Sequence, residues 1–231
     1  MKRYVIFFIF TLLFVTASPA KASVIINEIF SDPASGLTGD ANNDGVRSGS
    51  HDEFIEILNY GSSQVDISGW SLADSVSARH VFPLNTVLSP YTFLAVFGGG
   101  SPSLSNGDWQ VASKGTLGLN NSSDTVSLFD INMQLVDEVV YGSIAGHDQS
   151  ITLFPDGEGS EFVQHSSLDQ SQGALFSPGT SVDLRAALVL VDEEIPSEDV
   201  HPGNDNPVVP ELPTLMYFAM GGGSLLLKKR A

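Results

Sequence analysis

One stretch of the chain is dense in oxygen donors: Asp40-Ala41-Asn42-Asn43-Asp44-Gly45-Val46-Arg47-Ser48-Gly49-Ser50-His51-Asp52-Glu53. It opens as D-x-N-x-D-G, the start of an EF-hand-type calcium loop. Ca²⁺ takes about six to eight oxygen ligands. Asp40, Asn42 and Asp44 stand at alternate positions and can converge on one ion, Gly45 permits the sharp bend, and Val46 offers its carbonyl. The twelfth position, where a bidentate Glu closes such a loop, is His51, so Asp52 or Glu53 would have to close it instead. The same residues also make an Asx-rich surface turn, in which Asn and Asp bond their own backbone. Calcium and the plain turn are both open readings at this point.

Other constellations are weaker. His51, His80, His147, His165 and His201 are too far apart for a local zinc motif. His80, between Arg79 and Val81, reads as a strand or edge residue. No G-x-S-x-G is present, and the many serines sit in turn-like contexts. Asp52-Glu53 and Asp137-Glu138 are adjacent carboxylates, but neighbours on a strand face opposite sides. Glu28 comes close to Glu56 only where their two segments pair. Gly98-Gly99-Gly100 does not lead into a helix as a phosphate loop would. Trp70, Tyr91, Phe93 and Phe97 fit a core better than a sugar-binding face. No catalytic set emerges, so the expectation is a protein that is not an enzyme.

The elements that must position these residues are short strands. Ser23 to Phe30 is apolar and β-branched, and 52–59 (DEFIEILN) alternates. Trp70 to Leu72, His80 to Phe82, Tyr91 to Phe97, Thr125 to Phe129, Leu135 to Tyr141 and Ser150 to Phe154 follow, with turn residues between them. Asp130 to Gln134 reads as a hairpin turn. Between the two termini no segment holds a helical period, so the expected fold is an all-β sandwich or barrel.

Composition bounds the function. Of 231 residues, 42% are hydrophobic, enough for a real core, and there is no Cys for disulfides, thiolate metal sites or a thiol nucleophile. Ten Lys and Arg stand against 27 Asp and Glu, a formal charge of −17, which argues against nucleic acid as a partner. Six of the ten cations, Lys2, Arg3, Lys21, Lys228, Lys229 and Arg230, lie at the two ends. The body between is a polyanion suited to divalent cations.

Residues 1–22 have the three parts of a secretory signal peptide: basic Lys2-Arg3, an apolar run from Tyr4 to Val15, and Ala20 and Ala22 flanking Lys21 at the cleavage site. Residues 184–209 form an acidic linker broken by Pro196, Pro202 and Pro207. An apolar run then reaches Leu227 and meets Lys228-Lys229-Arg230. From Leu212 that run spans about 24 Å as a helix, short against a bilayer core of about 30 Å but bridgeable by snorkelling cations. The positive-inside rule puts the basic end in the cytoplasm and the rest outside.

Two resemblances follow from these residues. The tail 210–231, opened by Val209-Pro210-Glu211, resembles the PEP-CTERM sorting signal of Gram-negative, exopolysaccharide-producing bacteria, with Leu212 where that motif has a second Pro. The resemblance implies processing by the membrane protease exosortase. The body 23–183 is similar to the lamin-tail domain, an immunoglobulin-like β-sandwich. The similarity rests on Val24-Ile25-Ile26-Asn27-Glu28-Ile29, the segment 52–59, Val65-Asp66-Ile67-Ser68-Gly69-Trp70-Ser71-Leu72, the hairpin strands, and Ala174-Leu175-Phe176-Ser177-Pro178-Gly179-Thr180 as a closing segment. That family is an accessory module and implies no reaction. The expectation is an exported surface or matrix protein of a Gram-negative bacterium, anchored through the C-terminal helix. It would bind envelope or extracellular polysaccharide or protein, with calcium assisting. A metal-dependent hydrolase of phosphodiesters or glycans, working through the acidic loop, is the alternative.

Overall fold

Twelve short strands, with 3-10 turns and loops between them, make up residues 23–182, which are the residues that the computed structural model describes. The expected leader, with Ala20 and Ala22, the linker 184–209, and the tail with Val209, Pro210 and Glu211 lie outside them. Among the described residues no helix is long and apolar enough to cross a membrane.

The strands are β1 (Val24–Phe30), β2 (Phe54–Asn59), β3 (Val65–Asp66), β4 (Ser71–Ala73), β5 (Ala78–Val81), β6 (Val87–Leu88), β7 (Phe93–Phe97), β8 (Asp108–Val111), β9 (Asp124–Phe129), β10 (Leu135–Tyr141), β11 (Ile151–Leu153) and β12 (Phe162–Gln164). One sheet has the order β12-β11-β1-β2-β7-β8 and the other β10-β9-β4-β5, while β3 and β6 pair apart. All pairings are antiparallel except β7 with β8. This is the two-sheet sandwich that the strand pattern predicts.

Alternation builds the core. Ile26 and Ile29 of β1, Ile55 and Ile57 of β2, and Leu94 and Val96 of β7 face Leu72 of β4 and Val126 and Leu128 of β9. Each such side chain contributes about 1.5–3 kcal/mol when fully buried. The intervening residues of β1, β2 and β7 point to the other face of the six-stranded sheet. There they form two further clusters, Phe30-Phe54-Ala95-Phe97 and Ile25-Leu58-Phe93-Leu153, covered by loops and the C-terminal segment. The central strands β1, β2 and β7 of the six-stranded sheet are therefore buried on both faces. Trp70 packs at the edge of the inter-sheet core.

One side of the sandwich is stitched by side chains. His80 of β5 is buried, its Nε2 lies 2.8 Å from Gln110 Oε1, and Ser113 donates its backbone N–H to His80 Nδ1 at 3.3 Å. Gln110 Oε1 only accepts, so Nε2 carries the proton. Burial pulls the His80 pKa down, which keeps the ring neutral. On the other side Asp137 Oδ2 of β10 accepts the Ile26 N–H at 2.8 Å, beside a bulge in β1.

Candidate functional site

The acidic loop folds into a network of Asx turns. Asn42 Oδ1 accepts the Asp44 N–H at 3.0 Å and Asp44 Oδ1 accepts the Val46 N–H at 2.9 Å. Asp40 accepts from Asp44 and Gly45, and Asp44 Oδ2 accepts the Ser101 N–H at 3.0 Å. Asp52 closes the loop by accepting from Asn42 at 3.2 Å and from Ser48 at 2.6 Å. Asp40, Asn42, Asp44 and Asp52 are thus gathered around one loop. The N–H groups of Ser101 and Val46 hold the Asp44 carboxyl below its ordinary range. Burial pushes Asp52 up, opposed by the Ser48 and Asn42 N–H groups and reinforced by Asp40 and Asp44. Val46 is 67% exposed, and its N–H serves Asp44.

Glu53 does not join this group. Asp52 and Glu53 enter β2 on opposite sides, and Glu53 Oε2 accepts the Leu119 N–H at 3.4 Å, with Arg79 and Asp124 nearby. Burial pushes its carboxyl up to about 7. Among the described residues no group of three or more His, Asp or Glu is placed to hold a metal ion. The loop's carboxylate oxygens already serve backbone N–H groups, each retaining a second lone pair.

A second set of carboxylates lies inside the fold. Glu28 of β1 and Glu56 of β2 are register partners on the outer face of the six-stranded sheet, and both are 0% exposed. The C-terminal strap, residues 175–181, crosses them. Ser177 donates its N–H to Glu28 Oε1 at 3.0 Å and its hydroxyl to Oε2 at 2.8 Å. Gly179 N–H reaches Glu56 Oε2 at 2.7 Å, and Ser181 Oγ reaches Asp156 Oδ2 at 2.5 Å. Asn27 Nδ2 bridges Glu56 Oε1 at 3.1 Å and Asp156 Oδ1 at 2.9 Å. Burial raises the Glu28 pKa, against His165 and the Ser150 and Ser177 hydrogen bonds. Burial raises Glu56 still further, with Glu28 adding to it.

The sequence brought Glu28 and Glu56 together only through strand pairing; it marked 174–180 as a closing segment without placing it over these carboxylates, and gave Asp156 and His165 no place beside them. The signal was present: an acid in the middle of VIINEIF, and another in FIEILN, must find partners where both faces of the sheet are covered. Close approach at the strap needs glycine. A Cβ on Gly107 would lie 2.3 Å from the Gly179 carbonyl oxygen.

Between the acidic loop and the strap runs a groove of about 370 Å³, with Phe176, Leu104 and Pro178 as apolar lining and Asp40, Asn43 and Asn106 as polar lining. Its size falls in the ~300–1,000 Å³ range of small-ligand sites. None of its described lining residues is Lys or Arg.

No curated protein matches this chain. The Lamin Tail Domain family matches residues 17–143, from the region ahead of β1 to just past β10. The sandwich extends beyond that match through β11, β12 and the strap. With more than half its length matched and two facing β-sheets formed by the matched strands, the chain belongs to the lamin tail domain family.

Proposed function

We propose that this protein is a non-catalytic binding or adhesion module, exported to the envelope or extracellular matrix of a Gram-negative bacterium. The groove beside the acidic loop carries the reading. It offers an aromatic and aliphatic floor, with Asn43, Ser105 and Asn106 as short uncharged hydrogen-bonding side chains and Asp40 as one carboxylate. That chemistry suits an uncharged glycan segment, and the lack of a cation in the lining disfavours phosphorylated ligands. Ser105 and Asn106 are exposed on the rim of the groove. The signal-peptide pattern of residues 1–22 supports export, and the tail after Val209-Pro210-Glu211 supports exosortase sorting and membrane anchoring. Calcium belongs to the same reading as a stabiliser of the loop, through Asp40, Asn42, Asp44, Asp52 and the Val46 carbonyl. Glu53, turned to Leu119, drops out of the donor set.

The test is retention of envelope polysaccharide on immobilised full chain, with calcium and then with excess chelator. Saturable retention of unshortened glycan is expected. No retention with calcium supplied overturns the binding role. New reducing ends or phosphate monoesters, lost in Asp44→Ala, would establish the hydrolase reading instead.

A further inference from the structure

The strap has no titratable side chain of its own and directs its donors at carboxylates, while its Leu175 carbonyl accepts the Ser150 N–H at 2.9 Å and Ser150 Oγ lies 2.5 Å from Glu28 Oε1. Its donors are the Ser177 N–H and hydroxyl, the Gly179 N–H and the Ser181 hydroxyl. Their acceptors come from three elements: Glu28 on β1, Glu56 on β2, and Asp156 in the turn after β11. His165 faces the seat from the turn after β12, and Asp40 lies across the groove.

Donor and acceptor roles fix the number of protons along one line of this seat, His165–Ser177–Glu28. His165 is 1% exposed, with Nδ1 at 2.8 Å from the Ala174 carbonyl oxygen and Nε2 at 3.0 Å from Ser177 Oγ. A carbonyl only accepts, so Nδ1 carries hydrogen. Two contacts remain in the chain, Nε2 to Ser177 Oγ and Ser177 Oγ to Glu28 Oε2. Each needs one hydrogen, and the serine hydroxyl supplies only one. The other sits on His165 Nε2 or on Glu28. Either way the chain holds one proton more than a neutral imidazole plus a carboxylate.

We propose that the strap Leu175–Ser181 is a proton-held latch: seating it traps one proton along His165–Ser177–Glu28, and alkaline solution unseats it. With the strap lifted, the line from His165 through Ser177 to Glu28 is broken, nothing in it requires the extra proton, and alkaline water removes it. Closing then takes up a proton, so the open fraction rises up to about tenfold per pH unit above neutrality. Opening also withdraws Phe176 from Phe30, whose ring centroid lies 5.0 Å away, and takes down one wall of the groove.

Amide hydrogen exchange on the full chain tests this, corrected for the chemical exchange rate at each pH. Protection of the Ser177 and Gly179 amides is expected to fall by up to about tenfold per pH unit between pH 7 and 9. The Met133 amide, which bonds the Asp130 carbonyl in the distant β9–β10 turn, serves as the flat reference. The strap amides should be less protected than Leu94 in the core, because the strap opens before the sandwich does. Glu28→Gln keeps the shape and replaces the carboxylate by an amide that can donate to Ser177 Oγ, so the line closes without the extra proton and the profile should flatten. Where that variant does not fold, the wild-type profile decides. Strap protection that is independent of pH, equal to that of Leu94 throughout, or equally steep in a folded Glu28→Gln variant would overturn the latch.

Discussion

Glu53→Gln isolates one buried charge and gives a pH dependence of calculable size. Glu53 is 6% exposed, bonded to Leu119, with Arg79 on one side and Asp124 on the other. Burial raises its carboxyl from the usual 4.5 to about 7. A raised carboxyl stabilises the fold while protonated. The contribution is complete below 4.5 and is lost as pH rises through 7. Each pH unit in that window costs about 1.4 kcal/mol, so ionisation removes roughly 3 kcal/mol in all. The assay is urea unfolding of wild type and variant at half-unit steps from pH 4.5 to 8.5, followed by tryptophan fluorescence. Wild type should lose about 2–3 kcal/mol more than Glu53→Gln between pH 5 and 8. Glu28 and Glu56 shift in the same direction, but they are present in both proteins and cancel in the difference. Parallel stability curves for the two proteins would refute the reasoning.

Three more outcomes follow from the geometry. Ile57→Ala, at a fully buried site between the sheets, should cost about 2–5 kcal/mol, read as a lower urea midpoint with an unchanged slope. Gly98→Ala should displace the acidic loop, because its Cβ would lie 1.9 Å from the Ser50 carbonyl oxygen; a loss of at least about 1–3 kcal/mol is expected, and an unchanged melt would contradict the packing. Calcium should raise the melting temperature and chelator should reverse it; coincident melts would remove calcium from the proposed function while leaving the Asx-turn network intact.

What could be read from the sequence was whatever its apolar pattern determines. β1, β2, β7 and the β9–β10 hairpin stand out because their alternate residues fill a core on at least one face. β8 does not: Asp108 and Trp109 are exposed, Gln110 and Val111 half-buried, and the strand pairs with β7 at the sheet edge, so no periodicity marks it. β12 and the β3–β6 pair are too short to carry a pattern. The acidic loop was legible as Asx chemistry, and the structure chooses Asp52 over Glu53 as its closing side chain because the two face opposite ways. The carboxylate seat was not legible as a unit. Ser177 meets Glu28 across 149 residues, and only the tertiary fold makes them neighbours.

The most direct test of the binding role is an isotherm of the full chain against soluble envelope polysaccharide, compared with Asn106→Trp, which places an indole on the rim of the groove. Saturable binding by the wild type that Asn106→Trp weakens at least tenfold, with the sandwich intact by circular dichroism, is the predicted result. Absence of wild-type binding contradicts the adhesion role, and equal binding by both proteins removes the groove as its site.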